Sequence, residues 1–70
     1  MALFIERISE TADQVTRTRL PGYFGDGHAA IEAMEKVLSA YDRRGWDDEQ
    51  GYWWARDRER RVFRFVISGV

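Results

Sequence analysis

Alternating positions open this chain and a helical period follows them. Residues 2–8, Ala-Leu-Phe-Ile-Glu-Arg-Ile, are rich in β-formers and give way to a polar stretch from Ser9 to Gln14. That pattern predicts a strand running into a turn. Val15-Thr16-Arg17-Thr18-Arg19-Leu20 alternates and is full of β-branched residues, so it predicts a second strand. Pro21-Gly22 ends it. A connection this short cannot make a parallel crossover, and an antiparallel hairpin is expected.

From Asp26 the period changes. Ala30, Met34, Val37 and Tyr41, with Ile31 and Leu38 beside them, recur at spacings of three and four. Glu32, Glu35, Lys36, Ser39, Asp42 and Arg43 fall on the other side, as an amphipathic helix requires. Asp26 suits the N-cap, Arg43 and Arg44 the negative end of the helix dipole, and Gly45 the position after it. The pattern predicts a helix over about 27–44, roughly 27 Å long.

Trp46 to Gly51 reads as a polar, acidic loop. Tyr52-Trp53-Trp54-Ala55-Arg56 and Val62-Phe63-Arg64-Phe65-Val66-Ile67 predict a second antiparallel hairpin that turns within 57–61. The order β-β-α-β-β implies an α+β fold. It is a two-layer sandwich, with one helix packed on one face of an antiparallel four-stranded sheet.

Parity then sorts the strand residues. Phe63, Phe65 and Ile67 share a face and should meet the helix, leaving Val62, Arg64 and Val66 on the open side. An even-length turn puts Trp53 and Ala55 with the open set, and an odd one puts Tyr52 and Trp54 there. The even case is favoured because it concentrates large aromatics on the helix side. The expected open face therefore carries Trp53, Arg64, Val62 and Val66. Arg17 and Arg19, or Thr16 and Thr18, join them from the first hairpin. An apolar patch ringed by arginine implies a partner.

Composition narrows the chemistry. The 70 residues are expected to form a single domain, 1–70. There is no cysteine and one histidine, His28, which removes disulfides, thiolate metal sites and multi-His sites. An efficient aromatic core or oligomerisation must supply the stability, and aromatics are 14% of the chain. Glu6 and Arg7 interrupt the apolar start, unlike a signal peptide, and no run approaches a membrane span; a cytoplasmic protein is expected.

Net charge is −1, whereas dedicated nucleic-acid binders carry a basic excess. The loop 22–28 before the helix lacks a phosphate-binding pattern, and Asp26 would repel the anion. His28 has no evident catalytic partner. Asp47, Asp48 and Glu49 fit no calcium loop and read as a solvated turn. The arginines at 56, 58, 60 and 61 surround Asp57 and Glu59, which suits a solvated hairpin tip. No catalytic, cofactor or metal site is expected. The expected role is a protein–protein interaction module, a homodimer formed through the open sheet face or an edge strand. The alternative is single-stranded nucleic-acid binding by an exposed Trp/Arg face.

Overall fold

The computed structural model describes residues 2–69; Met1 and Val70, the two ends of the expected 1–70 domain, lie outside the described residues. Strands β1 (Leu3–Glu10) and β2 (Val15–Arg19) come first, then helix α1 (Gly27–Leu38), then strands β3 (Arg43–Asp47), β4 (Tyr52–Arg56) and β5 (Val62–Gly69). They form a five-stranded sheet in the order β2-β1-β5-β4-β3, with every neighbouring pair antiparallel. An α+β fold with one helix against an antiparallel sheet is what the pattern implied, but the sheet has five strands where four were expected.

The difference arises between residues 39 and 47. The helix expected to reach 44 stops at Leu38, with Ser39 as its C-cap. Its last turn tightens: Ala40 N–H donates to the Val37 carbonyl at 3.3 Å and Tyr41 N–H to the Leu38 carbonyl at 3.0 Å. These shorter-range bonds satisfy the free carbonyls of the helix end. They also bring the Tyr41 ring against the sheet, 5.8 Å from the Phe63 centroid and 5.6 Å from that of Phe65.

Residues 43–47 then gain more as a strand than as helix. They pair with the whole of β4 and set Trp46 against Trp53 at 4.4 Å between centroids. Arg43 and Arg44 are thus strand residues, although Arg44 still donates to the Tyr41 carbonyl at 3.3 Å. The expected loop 46–51 shrinks to a tight turn. Asp47 Oδ1 accepts from Glu49 N–H at 3.1 Å and Gln50 N–H at 3.0 Å, and Gly51 supplies a φ of 76° that a side chain would resist. At the other end of the helix, Asp26 is the N-cap, its Oδ1 accepting from Ala29 N–H at 2.8 Å.

The core lies between α1 and the sheet. Met34 and Leu38 of the helix meet Ile5, Ala55 and Phe65, and Val37, Tyr41, Trp53, Phe63 and Ile67 pack around them. Phe24 closes one side, held by a two-way backbone bridge to Leu3 at 2.9 and 2.8 Å. Among the described residues no polar side chain is buried, and no helix is long and apolar enough to cross a membrane.

Phe65 is fully buried at the middle of β5. Phe65→Ala should cost about 3–5 kcal/mol, a large share of the about 4–10 kcal/mol that a chain of this size commands. Urea unfolding followed by tryptophan fluorescence should find its midpoint sharply lowered, and a loss under about 1 kcal/mol would contradict this core.

Candidate interaction surface

The connection from β4 to β5 decides which side chains reach the side of the sheet away from α1. It comprises residues 57–61, an odd number, and Asp57 holds it closed. Asp57 Oδ1 accepts from the N–H groups of Glu59 and Arg61, each at 2.9 Å, and Oδ2 accepts from Arg61 Nε at 2.8 Å. Arg60 completes the turn at a φ of 67°. The Arg61 backbone N–H, helped by the Arg61 guanidinium and the Glu59 N–H, holds the Asp57 carboxyl below its usual range against the opposing effect of desolvation. The Asp57 carboxylate in turn raises Arg61.

This odd connection aligns Trp54 with Arg64 and Arg56 with Val62, while Trp53 lies opposite Phe65. Trp53 therefore faces the helix and packs on the core. The expectation that it shares the open face with Arg64 is corrected: Trp54 stands there instead. Arg64, Val62, Val66, Arg17 and Arg19 do share that face, and Thr16 and Thr18 turn to the other.

Registers across the sheet order the face in rows. One row runs Arg19, Glu6, Val66, Tyr52, Asp47, and the next runs Arg17, Ile8, Arg64, Trp54, Gly45. Beyond them lie Val15, Glu10, Val62, Arg56 and Arg43. Half of these charges are matched in ion pairs. Arg17 meets Glu6 at 3.4 Å, and Arg64 pairs with Glu10 while lying over the Tyr52 ring at 5.6 Å. Arg19 sits 3.9 Å above the Phe4 ring and donates to the Tyr23 hydroxyl at 2.9 Å, which is how Phe4 comes to be buried on this side. Arg43 and Arg56 lie directly opposite each other, and neither makes an ion pair among the described residues.

Trp54 has an unusual seat. An added Cβ on Gly45 would lie 2.8 Å from its Nε1, so the indole lies flat on the glycine of the neighbouring strand. Only glycine permits this approach, and the ring in return covers the glycine backbone. Beside it, Glu10, Asp47, Tyr52, Trp54, Val62 and Arg64 line an open groove of about 460 Å³. A second groove of about 510 Å³ lies between the helix end and the 57–61 tip, but its Asp57, Glu59 and Arg61 are engaged with one another. Among the described residues no three His, Asp or Glu side chains are grouped as metal ligands would be.

Sequence reasoning missed Arg43 and Arg56 as members of this face and placed Tyr52 and Trp54 there only for the odd-length turn that it did not favour. Turn length was the deciding signal: all five residues 57–61 form the connection, and that odd number selects Trp54. No protein-family model matches this chain, and no curated protein and no solved structure matches it either.

Gly45→Ala should displace the Trp54 indole and cost about 1–3 kcal/mol, visible as a changed near-ultraviolet circular dichroism spectrum; an unchanged spectrum would refute the seat. The hairpin tip should respond to acid in a defined sense. Because the folded Asp57 carboxyl is depressed, its contribution is full above the unfolded value and fades only as pH falls through the lower folded one. Carbon-detected NMR titration should find Asp57 among the last carboxyls to protonate; titration with the bulk of them would contradict the bonding described.

Proposed function

We propose that this chain is a small protein–protein interaction module that self-associates, using the open side of its sheet together with the β3 edge that borders it. The observation that carries the reading is the position of Trp54. A large aromatic lies at the junction of groove and edge, with half-exposed Tyr52, Val66 and Ile8 and exposed Val62 around it. Aromatic side chains and arginine are the residue types that dominate binding energy at protein interfaces.

The charge pattern favours a protein partner over a nucleic acid. Glu6 and Glu10 occupy Arg17 and Arg64, so two of the arginines best placed on the face are not free for phosphate. A 70-residue chain with a net charge of −1 also gains stability by covering such a surface with a second copy. One observation favours a second reading: Arg43 and Arg56 stand unpaired beside Trp54, and an aromatic ring flanked by free arginines suits the stacking and phosphate contacts of single-stranded nucleic acid.

Sedimentation equilibrium from micromolar to millimolar protein separates the two. The expected result is a reversible dimer that Trp54→Ala weakens by about tenfold or more. A monomer throughout the range would refute self-association, and salt-sensitive quenching of tryptophan fluorescence by oligonucleotides would then support the second reading.

A further inference from the structure

The strand β3 is complementary to itself. It reads Arg43-Arg44-Gly45-Trp46-Asp47, cationic at its start and anionic at its end, and it is the last strand of the sheet. Among the described residues its outer backbone groups pair with no strand, which makes it a template for another strand. Turned antiparallel about a dyad through Gly45, a second β3 sets Arg43 opposite Asp47 of the other copy. The same register sets Arg44 opposite Trp46 and Gly45 opposite Gly45. Both copies make each contact, as an isologous interface requires.

We infer that two copies pair edge to edge through β3 in this register, joining their sheets into one continuous sheet. The inference rests on the self-association proposed above and specifies its geometry. Three features of the single chain support it. Arg43 lies directly opposite Arg56 within the sheet, a like-charged pairing that is unfavourable until a carboxylate arrives. Asp47 uses Oδ1 for its own turn, and Oδ2 remains for Arg43 of the partner copy. On the other face, Trp46 is 48% exposed and open to stacking by the partner's Arg44 guanidinium.

The glycine at the dyad has a role in the pairing. Each Trp54 lies on its own Gly45, so two opposed glycines bring the two indoles towards each other across the axis with no side chain between. The opposite edge, β2, lacks this complementarity. Paired over its full length in the same way, Arg17 would meet Arg17 and repel.

Charge reversal in separate samples tests the register. Arg43→Asp and Asp47→Arg should each raise the dimer dissociation constant by about tenfold or more. An equimolar mixture of the two variants should recover tight pairing, because each then presents the charge that the other lacks. If wild-type chain dimerises and both variants dimerise as well as it does, the edge register is wrong while self-association stands. If wild-type chain is monomeric, both readings fail.

Asp47→Arg also removes a turn acceptor, so a cross-linking arm accompanies it. Mixed Arg44→Cys and Trp46→Cys chains should form a disulfide-linked heterodimer on mild oxidation, since directly opposed antiparallel residues lie within disulfide reach. Cross-linking no more frequent than between Trp46→Cys chains alone would overturn the register.

Discussion

The Asp57 carboxylate and the odd turn that it closes determine how the rest of the sheet presents itself. Three hydrogen bonds converge on that carboxylate, and they hold a connection of odd length between β4 and β5. In a pleated sheet one residue more or less in such a connection moves every side chain of the strand to the opposite face. With residues 57–61 as they are, Trp53 and Ala55 feed the core while Tyr52 and Trp54 reach the open side. A turn one residue shorter would exchange the two tryptophans, and with them the core and the surface.

Packing and surface then follow from one another. With Trp53 turned inward, Trp46 finds a ring to pack against at a tilt, which helps to make β3 a strand. With Trp54 turned outward, the residue beneath it on β3 has to be glycine. The sequence Gly45-Trp46 thus serves both faces of the sheet, one position yielding space and the next filling it. The exposed edge that results is short, begins with arginine and ends with aspartate, and its complementarity to itself follows from that order.

Much of this was legible in the residues. The period of Ala30, Met34, Val37 and Leu38 marks the helix, Asp26 marks its start, and Phe63, Phe65 and Ile67 mark the core face of β5. The end of the helix was not legible, because Tyr41, Arg43 and Arg44 satisfy the helical pattern as well as they satisfy the strand. What ends the helix is tertiary: Tyr41 meeting Phe63 and Phe65, and β4 offering a full ladder to 43–47. The open face was read correctly for Arg64, Val62 and Val66, which lie on the same strand. It was misread for Trp53, whose face depends on a turn length that aromatic content alone cannot reveal.

Amide hydrogen exchange on β3, measured at several protein concentrations, tests the central claim most directly. Pairing of two copies along this edge predicts that the outward-facing β3 amides become protected as concentration rises, while those of β2 at the other edge continue to exchange freely. Protection of β3 that is absent at every concentration, or that rises equally on β2, would contradict it.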